Sequence, residues 1–185
     1  MPPLYTRRGD EGETGLLGEG RVPKDDVRIE ACGAVDSASS ALGLARALAG
    51  TEATRAAVLV AQDDLYRLMA ELAAPPETAE RFRAIDGGRV GWLEEQIASF
   101  EGLVEVPRAF VVPGDTPGGA VMDLARTAVR AAERRVVALR AAQGLANPHL
   151  LAYLNRLSSL CFVLALWEDH QGGAPQARLA GKARP

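Results

Sequence analysis

The chain opens with a run whose residue types suit an anion. Thr6-Arg7-Arg8-Gly9-Asp10-Glu11-Gly12-Glu13-Thr14-Gly15 spaces glycines between donors and charges. Glycines let backbone N–H groups approach phosphate oxygens, and Thr and Arg add side-chain donors. The Gly-Lys-Ser/Thr ending of a Walker A loop is missing, so any phosphate cradle here is of another kind. Lys24, on the turn Val22-Pro23-Lys24-Asp25-Asp26, adds a point charge. The same composition fits a disordered, Gly-rich terminus equally well.

A second group lies late in the chain. Arg126, Arg130 and Arg134 are four residues apart and so share one helix face, flanked by Glu133 and Arg135. The side carrying Leu124, Ala128, Ala132, Val136 and Leu139 is apolar. Arginine stripes are commonly solvated, but this helix is otherwise rich in Ala and Val. That suits guanidinium groups aimed at a crevice or a neighbouring subunit, where they grip phosphate or carboxylate with two bonds. Further along, Asn155 has poor helix propensity and asks for a partner, with Ser158, Ser159 and Phe162 around the same side. Asp36 interrupts an apolar helical pattern. Buried, it would need a cation; on the polar face it would need none. Phe110, just before Pro113-Gly114-Asp115, either staples a loop or lines a ligand pocket. No Ser-His-Asp or Cys-His arrangement suggests itself, and His149 and His170 read as surface residues at the ends of the last helix.

Helices must position these groups. The chain has 185 residues, 48% hydrophobic, which suits one domain with a core of its own. Apolar steps of three and four predict helices over about 26–49, 52–73, 86–100, 116–143 and 147–169. Asp25 or Asp26 and then Asp86 serve as caps, Pro75-Pro76 as a stop, and Pro117 as a first helical residue. Residues 77–85 read as a short helical turn. No strand pattern appears beyond Phe110-Val111-Val112, which is too short to found a sheet. The predicted fold is all-α: a five-helix bundle over 26–170, an irregular Gly-rich N-terminal loop segment over 1–25, and a disordered tail over 171–185.

Composition also excludes partners. The net charge of −3 gives no basis for nucleic acid or an acidic membrane. No signal peptide or membrane-spanning apolar run is read, so a cytoplasmic protein is expected. Cys32 and Cys161, with no CxxC and no His at ligand spacing, read as small buried thiols.

Taken together these segments resemble the PduO-type ATP:cob(I)alamin adenosyltransferases from Tyr5 to about Glu168. The N-terminal run is similar to the family's Y-T-[KR]-x-G-D-x-G-x-T-[GS]-L. The stretch from Arg21 to Asp26, with Arg28 and Glu30, is similar to R-V-P-K-D-D-x-R-x-E. Phe110 to Gly114 resembles F-[IV]-L-P-G, and Leu124 to Arg135 resembles A-R-x-x-x-R-R-A-E-R-R. Tyr153 to Leu157 carries Y-L-N-R-L intact. The resemblance implies a homotrimer of five-helix bundles with active sites between subunits. It implies that Thr6, Arg7, Gly9, Asp10, Gly12, Thr14 and Gly15 hold the ATP phosphates, supported by Lys24. Arg130, Glu133, Arg135 and Asn155 match nucleotide-site residues, with Glu133 toward Mg²⁺. Arg126 matches an arginine pairing across the interface with Asp36, and Phe110 the aromatic that closes on the corrin. Arg130 and Phe110 are the residues implied to carry the chemistry. The implied activity is transfer of the 5′-deoxyadenosyl group of ATP to cob(I)alamin, of the cob(I)yrinic acid a,c-diamide adenosyltransferase type. A reductase and an adenosylcobalamin-dependent mutase are the implied partners.

The pattern departs in places. The family's Y-G-x-V-D-E-L-N reads Cys32-Gly33-Ala34-Val35-Asp36-Ser37-Ala38-Ser39 here. Asp115 replaces a Gly, Ala131 an Arg, Ser159 an Asp, and Leu166 an Arg. These departures motivate two other readings: a paralogue that binds ATP or adenosylcobalamin as carrier or sensor without turnover, and a plain helical interaction module.

Overall fold

The computed structural model describes residues 5, 7–18 and 20–181. Five helices dominate: α1 (Val27–Leu48), α2 (Glu52–Ala73), α3 (Gly87–Glu101), α4 (Pro117–Gln143) and α5 (His149–Gln171). Their starts obey local chemistry. Asp26, Thr51, Asp86 and Thr116 each accept a hydrogen bond from a backbone N–H of the first turn, capping α1 to α4. Residues 79–82 form the short helical turn expected there.

The core fills the seams between these helices. α1 contributes Ala31, Val35, Ala38, Leu42 and Ala45; α2 contributes Val58, Ala61, Leu65, Leu68 and Leu72; α4 contributes Met122, Ala125, Val129, Ala132, Val136 and Leu139. Each set repeats at three and four residues, one stripe per helix. Leu124, on the side of the fourth helix read as apolar, is about half exposed, because the α4 stripe runs through Ala125 instead.

Against the expectation of no membrane-length apolar run, α5 is long and apolar enough to cross a membrane by length and composition. Here most of it is buried inside the fold, with Leu150, Leu154, Leu157, Leu160, Val163 and Leu164 all in the core. A helix packed against several others along its length carries a wide apolar face for that reason.

Two acidic residues on α5 fasten its neighbours. Glu168 accepts from Gly50 N at 2.6 Å and from the Thr51 hydroxyl at 2.8 Å, holding the α1–α2 turn. Asp169 accepts from Thr116 N at 3.0 Å and its hydroxyl at 2.7 Å, holding the start of α4. Gly118 and Gly119 permit this approach, since a Cβ on either would collide with the Glu168 or Asp169 carboxylate.

Three further expectations change. The N-terminal segment is not wholly irregular: β1 (Glu13–Gly15) and β2 (Arg21–Pro23) pair antiparallel, Thr14 opposite Val22. Strands this short have too few alternating residues to show a period-two pattern. The tail does not lie free over its described part. Leu179 forms an antiparallel bridge with Val111, using the Phe110-Val111-Val112 segment as its partner. Lys182 and Arg184 fall outside the described residues. His149 is half-buried, while His170 is exposed as expected.

Candidate functional site

The N-terminal hairpin holds a tight loop in place. Arg7 sits at φ 60° and Gly12 at φ 85°, where an L side chain is strained. Asp10 N donates to Arg7 O and Gly12 N to Gly9 O, both at 3.2 Å, so the loop turns twice on itself. Arg21 braces it from β2, donating to Arg8 O at 2.6 Å and to the Glu13 carboxylate at 3.3 Å. Lys24 N donates to Gly12 O at 2.8 Å, which brings the Lys24 side chain beside Gly9. Arg7, Asp10, Gly12, Gly15 and Lys24 are exposed, with Gly9 and Thr14 half-buried. A glycine-rich double turn with an ammonium over it is a fitting cradle for phosphate oxygens. Thr6 lies outside the described residues.

A hollow of about 580 Å³ continues from Lys24 between α1 and α4, lined by Glu30, Ser37, Ala131 and Arg135 among others. Arg135 pairs with Glu30 at 3.5 Å. The expectation that Arg135 flanks the arginine stripe fails, since nine residues from Arg126 carry it about 180° round α4. Ser37 and Ala131 face the same hollow. The resemblance has Glu and Arg there, so two facing charges are replaced together by two small residues, and neither charge is left unpartnered.

The other side of α4 holds Arg126, Arg130 and Glu133. Arg126 donates to Asp123 at 2.7 Å. Both line a cavity of about 430 Å³ with Arg130, Phe110, Val111, Ser158, Ser159 and Phe162. Phe110 is 75% exposed at its mouth, an aromatic ring with little packing of its own. Apolar walls with a few convergent arginines suit a large, partly apolar ligand. Asp36, by contrast, is exposed, and among the described residues it has no ion pair within the chain.

Next to this cavity Asn155 finds its partner: its amide donates to Glu133 Oε1 at 3.1 Å, while its own carbonyl accepts from Arg156 at 2.7 Å. Arg156 in turn binds Glu94 on α3 at 2.9 Å. Among the described residues no group of three or more His, Cys, Asp or Glu could hold a metal by itself. Glu133, a single oriented carboxylate, fits Mg²⁺ that arrives with a nucleotide, because Mg²⁺ keeps waters and phosphate oxygens as most of its ligands. Both thiols are free and suppressed: burial pushes Cys161 up to about 12, partly offset by Arg126, and Cys32 up to about 11, partly offset by Arg28. Neither is a nucleophile.

Several polar residues escaped the sequence reading. Asp64 is buried and bonded by Arg89 and, at 2.8 Å, by the Tyr153 hydroxyl. Buried Asn147 donates to Glu71 at 3.0 Å and to Ile85 O at 2.9 Å. Asp123 holds Arg126. Each partner lies on another element or within one turn, so a charge in an otherwise ordinary helical pattern was the only available signal.

The model of the family described as cobalamin adenosyltransferase matches residues 4–168. The chain belongs to the cobalamin adenosyltransferase family. It is 36% identical over 166 residues to the corrinoid adenosyltransferase of Bacillus subtilis, covering 88% of this chain and 84% of that protein. With the cobalamin adenosyltransferase of Cupriavidus metallidurans it shares 38% identity over 171 residues, 92% and 90% of the two chains. Its fold superposes with a TM-score of 0.88, at 29% identity and 98% coverage of both chains, on a variant PduO-type ATP:corrinoid adenosyltransferase from Lactobacillus reuteri complexed with cobalamin and ATP. The all-α bundle expected for this adenosyltransferase family is therefore the observed one.

Proposed function

We propose that the protein transfers the 5′-deoxyadenosyl group of ATP to the cobalt of cob(I)alamin or a close corrinoid, as a cob(I)yrinic acid a,c-diamide adenosyltransferase. The observation that carries this is the arrangement about α4. A phosphate-type loop with Lys24 lies on one side, and Arg130, Glu133 and the Phe110 cavity lie on the other. One chain offers two separated half-sites. A homotrimer that sets the loop of one subunit against the stripe of the next would complete each site, and would set exposed Asp36 against a neighbour's Arg126.

In this reading Arg7, Gly9, Asp10, Gly12, Thr14 and Gly15, with Thr6, wrap the triphosphate, and Lys24 and Arg135 neutralise it. Arg130 and Asn155 hold the nucleotide, and Glu133 would hold Mg²⁺, which screens the phosphate charge. The Co(I) lone pair attacks C5′; a Co–C bond forms as the C5′–O bond breaks, and triphosphate leaves with the bonding electrons. No general base is needed. The protein's work is alignment of nucleophile and carbon and stabilisation of charge on the departing triphosphate by Arg, Lys and backbone N–H. Phe110, at the cavity mouth, takes the place of an axial ligand, and a cobalt without that ligand is easier to reduce. A one-electron reductase must supply Co(I), an adenosylcobalamin-dependent mutase is the natural acceptor, and the reaction belongs in the cytoplasm.

Titrating cob(II)alamin into the ATP-loaded protein under anaerobic conditions tests the corrin half. The expected result is a new electronic spectrum of cob(II)alamin lacking its axial ligand, lost in Phe110→Ala. An unaltered spectrum with ATP bound would support a carrier or sensor of ATP alone.

A further inference from the structure

The C-terminal segment is built onto the loop that carries Phe110. Val112 N donates to Arg178 O at 2.8 Å, and Ala180 N donates to Phe110 O at 2.9 Å. These two bonds flank the Val111–Leu179 bridge. An ion pair closes the same contact: the Arg178 guanidinium lies 3.1 Å from Asp115 Oδ1. Upstream, Ala174 N donates to Asp169 O at 2.8 Å, so the segment is also tied to the end of α5. Asp169 holds Thr116 as well, which fixes the other end of the loop at the start of α4.

Asp115 explains a departure from the family pattern. A glycine there offers no side chain, whereas this carboxylate, only 16% exposed, meets the one arginine of the described tail. The exchange and its partner belong to one device. The loop between Glu101 and Thr116 has no other backbone pairing outside its own ends among the described residues. Without the tail, Phe110 and Val111 would line the cavity from an unpaired loop.

We propose that the C-terminal segment around Arg178–Ala180 is a strap that positions Phe110, latched by the Arg178–Asp115 ion pair. Its role in catalysis rests on the reading of the Phe110 cavity as the corrin side. Arg178 and Asp115 are positioning residues: they touch neither ATP nor corrin, and act through the backbone of residues 110–112. The strap restricts the ring to the cavity mouth, so its loss weakens corrin capture and leaves ATP binding alone.

The test compares the full-length protein with Ala180→Pro, which removes one N–H donor, with Arg178→Gln, and with the charge exchange Asp115→Arg/Arg178→Asp. Amide hydrogen exchange at Val112 reports the strap directly, without activity. Protection is expected in the parent, falling roughly fivefold in Ala180→Pro. The corrin KM should rise roughly two- to fivefold in Ala180→Pro and Arg178→Gln, with the ATP KM and melting temperature unchanged. The charge exchange should restore the corrin KM. An unprotected Val112 amide in the parent would overturn the proposal, as would an unchanged corrin KM once protection is lost. A protected amide in a protein that makes no adenosylcobalamin would uphold the strap and count against the catalytic reading instead.

Discussion

The side-chain amide of Asn155 on α5 donates to the Glu133 carboxylate on α4 at 3.1 Å, and Arg156 fixes that amide by donating to the Asn155 side-chain oxygen at 2.7 Å. A half-buried carboxylate is thereby aimed rather than left to rotate. Replacing Asn155 by Ala leaves Glu133 unaimed without opening the core. Steady-state kinetics at varied Mg-ATP should show the KM for ATP rising about tenfold, with the melting temperature within a degree or two of the parent. An unchanged KM would mean that Glu133 is not turned toward the nucleotide.

Asp64 sets the stability of the α2–α3–α5 seam. It is 1% exposed and holds Arg89 and Tyr153 at once. Burial, together with the Asp64 carboxylate, drives the Tyr153 hydroxyl far above its ordinary range, so it stays a donor at every working pH. Arg89→Met leaves the buried carboxylate with only the Tyr153 hydroxyl and a longer contact of 3.8 Å to exposed Arg67, and should cost about 3 kcal/mol; Tyr153→Phe, which keeps Arg89, should cost about 1.5 kcal/mol. Urea unfolding of the two variants gives the comparison. Equal, small losses would show that neither bond to Asp64 governs the stability of this seam.

Glu71 makes a pH prediction whose sign is unusual. Burial raises its pKa above the ordinary 4.5, with the Asn147 hydrogen bond and then Arg83 pulling it back. Asp169 is raised too, again by burial first, with Thr116 opposing. A carboxyl raised on folding binds its proton more tightly in the native state. Its stabilising share is complete below the unfolded pKa and is lost as pH rises through the folded one. Stability should therefore slope downward with pH above the ordinary carboxylate range, and Glu71→Gln should flatten that slope while keeping the Asn147 bond. Thermal melts across the acidic range decide it; a slope identical in the variant would refute the assignment.

Arg126 serves Asp123 within the chain, while Asp36 is exposed with no ion pair among the described residues. In the proposed trimer Asp36 reaches Arg126 of a neighbour. Arg126→Ala and Asp36→Asn should both shift the assembly toward smaller species in analytical ultracentrifugation at micromolar concentration, and Asp123→Asn should shift it less. If neither Arg126→Ala nor Asp36→Asn altered assembly or turnover, the proposed pair would be wrong.

The helices were legible because each announces itself locally. Asp26, Thr51, Asp86 and Thr116 are caps by type, and the core stripes of α2 and α4 repeat at three and four residues. The hairpin was not, since three residues per strand hold too little pattern, and neither was the tail bridge, which joins segments far apart in sequence. Within the site, the stripe of Arg126 and Arg130 followed from spacing alone. That Arg135 belongs to the Lys24 side required the helix to be placed against α1. The buried partners of Asp64 and Glu71 were invisible because a single charge carries no mark of what will pack against it.

The most direct test is an anaerobic assay with cob(II)alamin, a reductant, Mg²⁺ and ATP, following the visible spectrum for the Co–C bond of adenosylcobalamin. The account predicts ATP-dependent formation of adenosylcobalamin with release of triphosphate, falling by about two orders of magnitude in Arg130→Ala. ATP binding with no Co–C bond formed, or turnover indifferent to Arg130→Ala, would contradict it.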